Sequence, residues 1–128
     1  MRVVDANVIL RYLLSDHAEH HRLAAAFWER VKAGDETAWI AESVLAECVY
    51  VLAKFHRVPR REVANSLTDL LSLRGVETDY PDAMTRALKL FAERNLDFVD
   101  AVVFALAESK DAKVFSFDRD LLKLERNT

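Results

Sequence analysis

One cysteine, two glycines and two prolines are all that 128 residues hold of the residue types that staple, loop and sharply turn a chain. The single thiol, Cys48, excludes an internal disulfide and fits a reducing compartment. Its apolar neighbours mark it as helix packing. Gly34 and Gly75 alone cannot build a glycine-rich phosphate loop or a dinucleotide fingerprint. Long apolar runs are missing too: in VVDANVILRYLL, Asp5 and Arg11 interrupt the stretch before it could span a bilayer. Nothing resembles a signal peptide, so the expected address is cytoplasmic. Positive charge is also scarce. The net charge of −3 argues against a protein that holds nucleic acid by bulk cation density, although a metal neutralising four carboxylates would leave the remainder at +1.

What is present is apolar mass, 52% of the chain, enough to fold one domain over residues 1–128 around a proper core. RVVD is a short β-branched run ending in an acid and reads as a first strand. The pattern turns helical from Ala6 to Leu14. Ser15 and Asp16 offer a cap for a second helix from about His17 to Ala33, closed by Gly34. TAWIA reads as a second strand, and a third helix runs from Glu42 or Ser43 to about His56. Pro59 starts a fourth helix in a favoured first-turn position, to about Leu73. VET is a brief third strand, Pro81 starts a fifth helix ending near Arg94, and Asp97 caps a sixth, Phe98 to Lys110. KVFSF is expected as a fourth strand, before a last short helix holding Leu121 and Leu122. Strands alternating with helices predict an α/β fold with a parallel sheet.

The acids of this pattern fall on one rim. Ligands of open α/β sheets collect outside the carboxyl ends of the strands. Asp5 ends the first strand and Asp118 follows the fourth. Helices that precede a strand run antiparallel to it, so the start of the sixth helix, with Asp97 and Asp100, lies on the same edge. Glu47 sits in the early turns of the helix leaving the second strand, bordering the stripe of Val44, Leu45, Cys48, Val51, Leu52 and Phe55. The sixth helix, FVDAVVFALA, is apolar almost all round, so Asp100 is hard to explain as a solubilising charge. Two carboxylates about 5 Å apart repel by roughly 3 kcal/mol at an effective dielectric near 20. Four must protonate or bind a cation. Oxygen donors without thiolate suit magnesium or manganese, and such an ion can stabilise the charge of a phosphodiester under in-line attack.

Each residue also has a plainer reading. Asp5, Asp97 and Asp118 could be helix caps, Asp100 a first-turn acid favoured by the helix dipole, and Glu47 a partner of Lys54 or Arg11. His17, His20 and His21 have spacing that could hold a transition metal, but no fourth ligand accompanies them. KFHRVPRR, Lys54 to Arg61, is a basic turn that either contacts phosphates or is simply solvated.

Four stretches together resemble the PIN-domain family, in particular its VapC-type toxins. VVDANVIL resembles the opening aspartate motif, with Asn7 two residues on. AESVLAECVYVL resembles the segment holding the family glutamate, at Glu47. LDFVDAVVFALA places the third acid at Asp100 with Asp97 as an accessory. VFSFDRDL places the fourth at Asp118, with Ser116 in the hydroxyl position and Asp120 nearby. Only ten residues follow Asp118, so the final strand common in relatives is short or absent.

The resemblance implies a three-layer α/β/α sandwich around a central, mainly parallel sheet of four to five strands. It implies a Mg²⁺- or Mn²⁺-dependent endoribonuclease, a homodimer, and a cognate antitoxin partner. Asp5, Glu47, Asp100 and Asp118 would then bind metal with Asp97 assisting, and Asn7, Ser116 and Asp120 would orient them. The alternatives are a non-catalytic PIN-fold binding module and a DNA-directed nuclease with the same acids. A phosphoacceptor domain fits worst, because Lys113 starts the last expected strand at the wrong edge.

Overall fold

The computed structural model describes residues 1–126; the expected domain of 1–128 includes two residues that lie outside those described. In chain order the elements are β1 (Arg2–Val3), α1 (Ala6–Leu14), α2 (Ala18–Ala33), β2 (Ala38–Trp39), α3 (Glu42–Tyr50), α4 (Arg60–Leu71), β3 (Val76–Glu77), α5 (Pro81–Glu93), α6 (Phe98–Ser109) and α7 (Arg119–Arg126). The strands are parallel in the order β1-β2-β3, with Val3 opposite Trp39 and Ala38 opposite Val76. The fold is α/β with a parallel sheet, as the alternating pattern predicts.

Helix existence follows the sequence closely, and the differences are local. Asp16 pairs with Arg11 at 3.1 Å, so the cap of α2 passes to His17, whose Nδ1 accepts from the His20 N–H at 3.1 Å. The expected third helix is α-helical only to Tyr50. It continues to Phe55 as a π-helical turn, closed by the His56 N–H donating to the Val51 carbonyl at 3.1 Å. Pro59 stands just outside α4, with extended backbone, and not in its first turn.

The sheet has three strands among the described residues, not the four to five expected. KVFSF is the difference. Its period-2 pattern puts Phe115 and Phe117 on one face, yet both remain about 90% exposed (89% and 91%), and no strand pairs with the segment. Side chains satisfy its backbone instead. The Val114 N–H donates to Glu125 Oε2 at 2.6 Å, and the Asp118 N–H to Ser116 Oγ at 2.9 Å, the local competition that serine offers to a ladder.

The core lies where the helices meet the sheet: Ile9, Trp28, Val31, Ile40, Leu45, Leu67 and Leu88 are almost wholly buried. The Trp28 indole N–H donates to the Val8 carbonyl at 3.0 Å, so the largest core side chain leaves no polar atom unpaired. α4 packs on α5, α5 on α6 and α1 on α2, while α3 touches both α1 and α6. That bridging position of α3 links the two halves of the acidic rim.

Gly75 lies against the end of α2, its N–H donating to the Val31 carbonyl at 3.0 Å. A Cβ there would lie 2.1 Å from the Glu36 carbonyl oxygen and 2.8 Å from that of Val31. Both obstacles are backbone, so neither can swing away. Gly75→Ala is expected to lower unfolding stability by about 2–3 kcal/mol, the upper part of the range for overpacking, as read by urea denaturation. A loss under about 0.5 kcal/mol would mean that β3 can retreat from α2 without strain.

Candidate metal centre

Asp5 follows β1 and occupies the N-cap of α1, where its Oδ1 accepts the Val8 N–H at 3.2 Å. Asp118 does the same for α7, accepting the Leu121 N–H at 3.0 Å. The capping readings of these two acids are therefore correct. They do not compete with a second role, because each cap engages one carboxylate oxygen and leaves the other. Asp97 stands at the N-cap of α6 with extended backbone but makes no cap hydrogen bond; its charge acts instead on the Arg60 guanidinium.

Asp100, one turn into α6, is partly buried. Its pKa is raised by burial first, then by the charges of Asp118, Asp97 and Asp120. Those influences gather four acids from two helix starts into one electrostatic neighbourhood. The other half of the rim is visible at Cys48. Its thiol donates to the Ala6 carbonyl at 3.9 Å and its pKa is pushed up to about 12, by burial first and then by Glu47 and Asp5. The cysteine is thus packing material beneath the acids, as its neighbours predict, and its inert thiol lies between α3 and the start of α1.

Glu47 is exposed and belongs to none of the ion pairs among the described residues, which leaves Lys54 and Arg11 without the bond suggested for them. Of the expected supporting residues, Ser116 bonds the backbone of Asp118, not its carboxylate. Asn7 lines a groove of about 520 Å³ with Asp5, Arg11 and His20 and hydrogen-bonds to no acid among the described residues. Asp120 acts on Asp100 only through its charge. A second groove of about 430 Å³ runs between α3 and the start of α6, lined by Tyr50, Lys54, Arg60, Asp97 and Asp100.

The structure gathers the acids in two groups, Asp97, Asp118 and Asp120 around Asp100 and Glu47 and Asp5 around Cys48, without closing them into a chelate. No three acids, histidines or cysteines stand near enough to ligate one ion among the described residues. The donor set nevertheless suits a hard divalent cation: all carboxylate, mutually repelling, with free oxygens on Asp5, Asp97 and Asp118. Histidine plays no part. His17 and His20 stack at 3.9 Å, and His21 Nδ1 is held 3.0 Å from the Arg11 carbonyl.

The family model for the PIN domain matches residues 2–127, nearly the entire chain. The chain belongs to the PIN-domain family. It is also similar to a VapC ribonuclease of Aquifex aeolicus (strain VF5), 26% identical over 125 residues that cover 97% of this chain and 92% of the relative. Sequence reasoning overlooked Arg60. It sits in a basic turn that reads equally as a phosphate contact or as solvated, and only the pairing of α4 with α5 shows what it meets.

Folding raises the Asp100 pKa, so ionised Asp100 costs stability at neutral pH, and the cost is relieved as pH falls through the folded-state value. In chelator at pH 7, Asp100→Asn is expected to raise the melting temperature by a few degrees. That advantage should narrow towards acid pH and on adding Mn²⁺. A lower melting temperature at every pH would show that the carboxylate stabilises the fold instead of straining it.

Proposed function

We propose that the protein is a divalent-metal-dependent endoribonuclease, the toxin of a type II toxin–antitoxin pair, acting as a single domain over residues 1–128. Membership of the PIN-domain family and the likeness to a VapC ribonuclease support the nuclease reading. The observation that carries it to named residues is the electrostatic meeting of Asp97, Asp100, Asp118 and Asp120, with Asp5 and Glu47 joined around Cys48.

Asp5, Glu47, Asp100 and Asp118 would hold Mg²⁺ or Mn²⁺, with Asp97 assisting. Bound there, the ion supplies the positive charge that a phosphodiester needs as it is attacked, and acidifies the attacking water. The protein's own residues do the placing. Helix N–H groups orient the carboxylates of Asp5 and Asp118, leaving one oxygen of each for a ligand. Asn7, Ser116 and Asp120 tune the rim. Along the α3–α6 groove, Lys54 offers a cation to a phosphate, and the exposed ring of Tyr50 offers a face for an unstacked base. A cognate antitoxin and a homodimer complete the proposal. No helix among the described residues is long and apolar enough to cross a membrane, which accords with the proposed cytoplasmic address.

A second reading, a non-catalytic PIN-fold docking module, draws on the open arrangement of the acids. Incubating total RNA with purified protein in Mg²⁺, Mn²⁺ and chelator, beside Asp5→Asn, separates the two. Metal-dependent cleavage is expected, reduced at least about a hundredfold in the variant, as for loss of a principal charge-stabilising group. Folded, antitoxin-free protein that cuts no RNA with either ion would favour the docking module, and cutting only of DNA would reassign the substrate.

A further inference from the structure

α5 ends at Glu93, and three residues, Asn95 to Asp97, separate its cap Arg94 from the start of α6 at Phe98. The last carbonyls of a helix lack partners within it and carry its partial negative charge. Here they are met by a side chain from a different helix. Arg60, the first residue of α4, donates Nε–H to the Phe91 carbonyl at 2.8 Å and Nη2 to the Arg94 carbonyl at 3.2 Å. The same Nη2 also donates to the carbonyl of Leu96, the residue immediately before Asp97. The guanidinium lies 3.8 Å over the Phe91 ring, and Phe91 meets Phe98 edge-on at 6.3 Å. Leu96 and Phe98, on either side of Asp97, are both buried.

The turn that delivers the accessory and third acids is therefore fixed twice over: its backbone by one fork of donors, its apolar side chains by packing. Asp97 caps no N–H, and its charge acts on the Arg60 guanidinium. Its carboxylate accepts no helix N–H while Arg60 holds the backbone on either side of it. We infer that Arg60 is a positioning residue for the acidic rim, pinning the α5–α6 turn through the Phe91, Arg94 and Leu96 carbonyls so that Asp97 and Asp100 face the groove ready for a cation. The inference rests on the proposed metal-binding role of those two acids. Lysine could not substitute: it is a point charge without the planar fork that reaches three carbonyls.

The test compares wild-type protein with Arg60→Ala and Arg60→Lys by hydrogen exchange in metal-free buffer and by Mn²⁺ titration, read from the resonance of the free ion. In both variants the hydrogen-bonded amides of the first turns of α6, residues 101–104, are expected to exchange about tenfold faster, while those of α1 and α2 keep their protection. Mn²⁺ should bind about tenfold more weakly, the lower end of what losing an outer-shell support does to a metal site. Ethylguanidinium in the buffer should restore part of both losses to Arg60→Ala. Three results would overturn the inference: unchanged exchange at 101–104, acceleration spread evenly over the chain, or an Arg60→Lys protein that matches wild type. Wild-type protein that binds no Mn²⁺, beside variants whose turn loosens as described, would sink the metal-site reading and leave the pinning of the turn intact. If Arg60→Ala does not fold, Arg60→Lys carries the comparison.

Discussion

Carboxylates brought to one rim push each other apart, and much of the fold is arranged against that force. Burial and three neighbouring acids raise the Asp100 pKa. The opposing force is apolar: α6 buries Phe98, Ala101, Val102, Phe104 and Ala105 against its neighbours, which fixes where Asp100 must stand whatever its charge prefers. α3 does the same for Glu47 through Leu45, Cys48 and Val49. Packing that is strong but non-directional sets the positions of groups that electrostatics would scatter. Protonation of Asp100, or a counter-charge beside it, relieves that repulsion.

A gap in the arrangement follows from the same balance. The acids are held by their backbones, and their side chains make other bonds in the meantime: Asp5 and Asp118 cap helices, and Ser116 attends to a backbone N–H. No three of these acids stand close enough to ligate one ion among the described residues.

How much of this was legible in the sequence depends on whether the deciding interaction is local. Helix periodicity is local, and α1 and α5 begin where the pattern says they should, at Ala6 and Pro81. The capping of α1 by Asp5 and the inertness of Cys48 were readable for the same reason. Chain direction through parallel strands accounts for Asp5 and Glu47. For Asp97, Asp100 and Asp118 it would have required KVFSF to be a strand, and KVFSF pairs with none; the starts of α6 and α7 bring those three together instead. KVFSF misled because alternation describes what a segment can do, whereas pairing requires a neighbour, and here Glu125 and Ser116 take backbone groups that a ladder would have used. Arg60 was invisible for the opposite reason. Its acceptors lie more than thirty residues away, and nothing near it in sequence marks it as different from Arg57 or Arg61.

The double duty of Asp5 and Asp118 bears on how such a protein could change over evolutionary time. An N-cap is served almost as well by asparagine or serine as by aspartate. Either replacement would keep the starts of α1 and α7 while deleting a charge from the rim and relieving its repulsion. On the proposed metal-binding role, loss of chemistry and loss of fold are separable at these two positions, and a lineage released from that role would retain a scaffold with both helix starts intact.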